Sequence, residues 1–129
     1  MLDKEIIEKI KKICQKYSQI QLLYVFGSRA RGDAGPLSDY DFAVYLDEND
    51  SKKRFAIKLR LMNDLAAVLK NDNVDLVVLN DAESPFLKFA AIKDGILIFE
   101  KGSKVLAETA IMSEYFDLRE SFLKYDFAK

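Results

Sequence analysis

Two aspartates near the start of a predicted strand are the residues of this chain best placed to perform chemistry. Asp39 and Asp41 lie two positions apart, separated by one aromatic residue. Alternation along a strand puts both carboxylates on one face. Like charges side by side are unfavourable unless a cation lies between them, and Mg²⁺ is commonly held by one or two carboxylates plus substrate phosphates. The pair predicts a magnesium site; the alternative is a solvated strand end with two exposed acids.

A third aspartate, Asp75, opens an otherwise apolar run, DLVVL. It lies either at the wet end of a strand or beside the other two acids across a sheet. Three acids converging near a triphosphate would hold two Mg²⁺ ions, one activating the attacking oxygen and one stabilising the leaving pyrophosphate. Because the chain has no histidine, Asp75 is also the natural proton acceptor for an attacking hydroxyl.

A glycine turn follows the first predicted strand. Residues 27–32 have the G-x-x-x-x-G outline of a phosphate loop, but Asp33-Ala34 stands where a Walker A motif needs Lys and Ser or Thr. A strand that runs into Gly27-Ser28 at the start of a helical turn nevertheless suits a phosphate, because glycine admits a close backbone approach and serine adds a donor. The alternative is a plain turn joining two elements.

Two arginines continue the turn. Arg29 and Arg31 lie where a guanidinium could reach a phosphate. Pairing with Asp33 or another nearby acid is an equal alternative for each, and Arg31 is also placed to brace the loop. A basic cluster further along the chain is expected to form a solvated helix face rather than a nucleotide or partner contact: Lys52, Lys53, Arg54, Lys58 and Arg60.

Hydrophobic periodicity predicts the elements that must position these residues. In chain order they are a helix at 3–17, strands at 21–26 and 41–46, a helix opened by Asp50 or Ser51, a strand at 75–79, a helix at 84–94 and a strand at 96–99. The second helix is expected to turn one apolar face to the core: Phe55, Leu59, Met62, Leu65, Ala66 and Leu69. Interleaved helices and strands predict an α/β or α+β fold of about four strands flanked by helices, with residues 1–129 as one domain.

A long final helix is predicted from residue 103 to about residue 127. It carries two apolar stripes, the first made of Val105, Met112, Phe116 and Leu123, the second of Ile111, Tyr115, Leu118, Phe122 and Tyr125. One stripe is enough to dock a helix on its own domain, so the second predicts a partner or self-association surface. The alternative is a helix wedged deeply between others.

Composition excludes several classes of function. A chain of 129 residues without histidine has no imidazole base and no histidine-bound zinc. The single cysteine, Cys14, cannot form an internal disulfide, so a reduced, cytoplasmic setting and a core position are expected. A net charge of -1 gives no basic field for direct nucleic-acid binding, and no apolar run is long enough to span a membrane.

The combination of Gly27-Ser28, Asp39-x-Asp41 and a distant Asp75 resembles the signature of the nucleotidyltransferase superfamily that includes DNA polymerase β. The fuller runs at 26–32 (FGSRARG) and 38–42 (SDYDF) resemble more narrowly the minimal nucleotidyltransferases of prokaryotes, the antitoxin partners of HEPN-domain ribonuclease toxins. The resemblance covers roughly residues 22–100.

This resemblance implies a nucleotidyltransferase fold and a Mg²⁺-dependent transfer of AMP from ATP to a tyrosine of the toxin. It implies that Ser28 contacts the triphosphate, that Asp39 and Asp41 bind both metal ions, and that Asp75 completes the triad. Two alternatives remain open: a small-molecule acceptor of the aminoglycoside type, and a non-catalytic antitoxin that acts by binding. The small size of the chain favours an acceptor that brings its own surface, and therefore a protein.

Overall fold

The computed structural model describes residues 2–27, 39–81 and 85–101, together with residues 108, 112 and 113. The helices are α1 (Lys4–Gln15), α2 (Ser51–Leu69) and α3 (Pro85–Asp94), and the strands are β1 (Ile20–Phe26), β2 (Tyr40–Leu46), β3 (Val74–Val78) and β4 (Ile96–Glu100). Each predicted element in these ranges is present. The predicted final helix lies outside them except for residues 108, 112 and 113, which are helical.

Side-chain caps explain where the first two helices begin. The carboxylate of Asp3 accepts a hydrogen bond from Ile6 N at 2.8 Å, and that of Asp50 accepts one from Lys52 N at 2.9 Å. Each bond satisfies one of the backbone N–H groups that have no partner inside the first turn. Asp3 therefore caps α1 instead of lying within it.

The four strands form one mixed sheet in the order β3-β2-β1-β4. β1 pairs antiparallel with β2 and with β4, whereas β2 and β3 are parallel. Parallel neighbours need a crossover connection, and α2 supplies it. The predicted fold class, a small sheet flanked by helices, is confirmed.

The main core lies between the sheet and the first two helices. Its buried members include Ile10, Ile13 and Cys14 of α1, Ile57, Leu61 and Leu65 of α2, and Phe42, Val44, Leu76 and Val78 of the sheet. A smaller cluster covers the opposite face of the sheet, with Leu22, Tyr24, Ala43 and Leu79 buried and Phe26 and Tyr45 packed against them. By alternation, the side chains of Asp41 and Asp75 belong to this second face.

The predicted core face of α2 is wrong at two positions. Phe55 is 58% exposed and Leu59 is 51% exposed. The sheet is instead contacted by the stripe that begins at Ile57, and Phe55, two residues away along the helix, lies about 200° around its axis. Met62, Leu65, Ala66 and Leu69 do pack against the core, as predicted.

Two polar contacts fasten the end of β3. The side chain of Asn80 bonds both backbone groups of Leu46, accepting from its N–H at 3.0 Å and donating to its oxygen at 2.8 Å. Arg54 of α2 holds Asp81 through Nε, at 3.0 and 3.1 Å from the two carboxylate oxygens, and through Nη2 at 2.6 Å. In the part of the chain that the structure describes, no helix is long and apolar enough to cross a membrane.

Candidate functional site

Asp41 and Asp75 are neighbours across the parallel pair of strands. They occupy the same register position, Asp41 in β2 opposite Asp75 in β3. Strands in a sheet lie about 4.8 Å apart, and residues opposite each other project to the same side. Asp75 is exposed and Asp41 half-buried. The sequence left open a wet strand end or a place beside both other acids. In the structure Asp75 is exposed near the start of β3 and is adjacent to Asp41, without a group of three acids that could hold a metal ion among the described residues.

Gly27 adjoins this pair at the end of β1. Phe26 pairs with Asp41, so the next residue of the chain meets the Asp41 side chain. Gly27 has φ +72°, and a Cβ atom placed on it would lie 2.5 Å from Asp41 Oδ2. Both the left-handed backbone and the close carboxylate require a residue without a side chain. The glycine turn and the Asp41 carboxylate are therefore in contact.

Asp39 lies immediately before β2 and is exposed. Tyr40 and Phe42 project to the other face, where their rings stack with centroids 6.5 Å apart and an interplanar angle of 11°. Phe42 is fully buried, and Tyr40 packs against the main core. Packing of these two rings against the main core orients β2, so that Asp41 projects from the opposite face of the sheet.

The aspartate pair suits a divalent cation that is also bound by substrate phosphates, and not a metal site made of protein ligands alone. Among residues 2–27, 39–81 and 85–101, no three acidic, cysteine or histidine side chains lie close enough together to hold a metal ion. Two adjacent carboxylates are nevertheless a usual protein contribution to a Mg²⁺ site, because substrate phosphates and water supply the other oxygens. Ser28, Arg29 and Arg31, the other predicted nucleotide contacts, lie outside the described residues.

A cleft along the outer edge of β3 is the feature that sequence reasoning missed. It has a volume of about 440 Å³ and shares Asp75 with the aspartate pair. The cleft is lined by Ser51, Phe55 and Lys58 of α2 and by Asp75, Leu76, Val77, Val78 and Asp81. The available signal was Phe55, an apolar residue of α2 outside the stripe that packs on the sheet.

Of the charged residues around this cleft, Asp81 forms an ion pair and Lys58 forms none with a described carboxylate. Asp81 is held by Arg54, whose pKa is raised first of all by the hydrogen bond to that carboxylate. Arg54 also donates from Nη1 to Glu48 O at 2.9 Å. Arg54 therefore has a structural role that links α2 to the end of β3. The prediction that the whole basic cluster forms a solvated helix face is wrong for this residue. Lys58 also lines the cleft, and no described carboxylate forms an ion pair with it.

Tyr24 connects the second sheet face with the start of the predicted final helix. Its hydroxyl donates a hydrogen bond to Glu108. Burial and then this bond raise the pKa of Tyr24 well above its ordinary value. Because Tyr24 is on the same face as the aspartates, the helical residue Glu108 also lies over that face.

Comparison with known proteins gives consistent matches. Residues 8–104 match the family model described as polymerase beta, nucleotidyltransferase. A protein of Methanocaldococcus jannaschii, named as a candidate protein adenylyltransferase, is 34% identical over 95 residues, which cover 74% of this chain and 93% of the relative. The protein adenylyltransferase MntA of Aphanizomenon flos-aquae is 30% identical over 105 residues, covering 75% of this chain and 68% of that protein.

Solved structures extend the similarity to the whole fold. A crystal structure of a toxin-antitoxin with AMP-PNP matches with a TM-score of 0.71 and 26% identity, covering 98% of this chain and 99% of the other. The toxin-antitoxin MntA-HepT matches with a TM-score of 0.68 and 25% identity, covering 97% and 99%.

Proposed function

This chain belongs to the polymerase beta nucleotidyltransferase family, and from that premise we propose that it transfers AMP from ATP to a tyrosine hydroxyl of a HEPN-domain toxin, which it thereby neutralises as an antitoxin. The observation that carries the proposal is the pair Asp41 and Asp75, in register beside the Gly27 turn. The name of the MntA relative and the AMP-PNP-containing toxin-antitoxin structure support the acceptor and the donor.

Asp41 and Asp75 would hold Mg²⁺. Asp39, immediately before β2, is proposed as a further ligand, but the described residues do not bring it together with both of the other acids. A Mg²⁺ ion held there would supply positive charge opposite the triphosphate and the leaving pyrophosphate. The backbone of Gly27 and the side chains of Ser28, Arg29 and Arg31 would bind the phosphates, because they follow the strand end that Asp41 faces.

The reaction forms one bond and breaks one. The acceptor hydroxyl oxygen attacks the α-phosphorus of ATP, an O–P bond forms, and the P–O bond to the β-phosphate breaks as pyrophosphate leaves with its electron pair. Asp75 is the more exposed of the paired acids. It would accept the hydroxyl proton and release it to solvent. A carboxylate is proposed for this role because the chain has no histidine.

The test incubates the purified chain with ATP labelled in the α-phosphate, Mg²⁺ and HepT, the toxin named in a matching complex. Label is expected on HepT and absent when EDTA is added. Asp39→Asn and Asp41→Asn should abolish transfer, and Asp75→Asn should slow it about 10²–10⁴-fold. Asp47→Asn is the matched control, because Asp47 is an exposed acid at the far end of β2.

Full transfer by the Asp39→Asn and Asp41→Asn variants would contradict the proposed mechanism. Label on an aminoglycoside but not on HepT would replace the protein acceptor by a small molecule. Neutralisation of HepT by the triple Asn variant would instead support an antitoxin that acts by contact alone.

A further inference from the structure

The cleft at the outer edge of β3 shares Asp75 with the aspartate pair. We propose that it binds the acceptor-bearing segment of the protein substrate, as an extended chain that adds to β3 and presents its hydroxyl to Asp75. This inference rests on the proposed transfer to a protein and specifies where on this chain that protein docks.

The backbone of β3 offers hydrogen-bonding groups to such a segment. Tyr40 N donates to Asn73 O and Leu79 N donates to Val44 O, each at 2.8 Å, which fixes the phase of the parallel ladder. In that phase the N–H and C=O groups of alternate residues point away from β2, namely those of Val74, Leu76 and Val78. No strand within residues 2–27, 39–81 and 85–101 pairs with this edge. An added strand would satisfy these groups and gain affinity from main-chain bonds.

The walls of the cleft define which side chains the segment carries. Phe55, 58% exposed, offers an apolar surface beside an open strand edge, a combination that promotes unspecific association unless a partner covers it. Lys58 offers a positive charge that no described carboxylate neutralises. Asp81 adds no free negative charge because Arg54 holds it. The cleft therefore suits an apolar residue and an acidic residue together.

The position of Asp75 determines which end of the cleft would hold the acceptor hydroxyl. Asp75 lines the cleft and also pairs with Asp41, so one residue borders both the acceptor surface and the reacting centre. Consecutive residues of β3, which belong alternately to its two faces, line the cleft, as is possible only at an edge strand. A volume of about 440 Å³ falls within the range of about 300–1,000 Å³ typical of ligand sites, enough for a few side chains but not for a folded domain.

The test measures transfer to HepT and binding of AMP-PNP in the same variants. Phe55→Ala and Lys58→Glu should each raise the KM for HepT about tenfold or more. The dissociation constant for AMP-PNP with Mg²⁺ should stay within about twofold of the wild-type value, because neither side chain lies at the glycine turn. Both variants should fold, since Phe55 is exposed and Lys58 is only half-buried.

Matched controls come from the same helix. Leu59→Ala removes an equally exposed apolar side chain, 51% exposed, that does not line the cleft. Lys53→Glu reverses an exposed charge, also outside the cleft. Both controls should leave the KM for HepT unchanged.

Three outcomes would overturn the inference. Equal KM values in cleft and control variants would place the acceptor elsewhere. A change in the molecular mass of the isolated protein in Phe55→Ala would make the cleft a contact between two copies. A loss of thermal stability without any loss of transfer would mean that the chain itself covers the cleft. Absence of transfer by the wild-type protein is a different result, because it contradicts the proposed transfer to HepT and not the docking surface.

Discussion

Asp41 and Asp75 carry like charges at opposing positions of two strands. Such a pair lowers stability, by roughly 0.2–1 kcal/mol for residues directly opposite in a sheet. Both carboxylates lie on the sheet face that carries the smaller apolar cluster. A cation bound between them would offset their repulsion.

Gly27 is the residue whose replacement most directly tests the contact with Asp41. Gly27→Ala should lower the free energy of unfolding by about 1–2 kcal/mol, because φ +72° is unfavourable for alanine. The new Cβ would also push aside the Asp41 carboxylate, so AMP-PNP binding should weaken by more than the stability loss explains. Urea unfolding and calorimetry of AMP-PNP binding measure the two effects.

Gly95→Ala is the matched substitution, since Gly95 follows α3 without a positive φ. It should alter neither quantity by a comparable amount. Unchanged AMP-PNP affinity in Gly27→Ala would contradict a role of this turn in nucleotide binding.

Asn80 extends the pairing of β2 and β3 beyond the last residues of the ladder. Asn80→Ala should lower the free energy of unfolding by about 1–3 kcal/mol, because the backbone groups of the buried Leu46 lose both partners. Asn73→Ala, at an exposed position at the other end of β3, should cost little. Urea unfolding of both variants decides the matter, and equal stabilities would show that water replaces the Asn80 side chain.

The helices and strands of this fold could be predicted from the sequence, but the side of each that packs on the core could be predicted only in part. β1 and β2 follow from short apolar runs bounded by the glycine turn and an acidic loop. The core face of α2 did not follow, because two apolar stripes compete and only the sheet selects one of them. The aspartate pairing needed the strand order as well, since residues distant in sequence become neighbours only through parallel β2 and β3.

Family membership was correctly predicted from the glycine turn and the aspartate spacing, and the match over residues 8–104 confirms it. The cleft at β3 was not predicted, because it is made by one helix face and one strand edge that share no motif. The roles of Asp39, Asp41 and Asp75, and the single domain over residues 1–129, stay predictions.

The stability of the whole molecule should fall at alkaline pH. Burial raises the pKa of Cys14 from 9.0 to about 12, and burial followed by the hydrogen bond to Asp64 raises that of Tyr17 to about 12. Between these values the unfolded chain loses protons that the folded chain keeps, so stability is full below about pH 9 and declines as pH rises towards 12.

Urea unfolding from pH 8 to pH 11 measures this decline. Cys14→Ala should be less stable at pH 8 because it leaves a cavity, but its stability should depend less steeply on pH, by at most about 1.4 kcal/mol per pH unit. The folded wild-type chain should also resist alkylation at pH 8, since Cys14 is fully buried. Parallel pH curves for the two proteins would contradict the buried thiol as the cause.

The strand order has a consequence for synthesis on the ribosome. β1 lies inside the sheet, but its second neighbour, β4, is the last of the four strands to be made. A nascent chain that pairs β1, β2 and β3 before β4 leaves the exit tunnel would have the far side of β1 open. Such an edge attracts other strands. Newly made chains should therefore need chaperone protection during that interval, even though the finished fold is small.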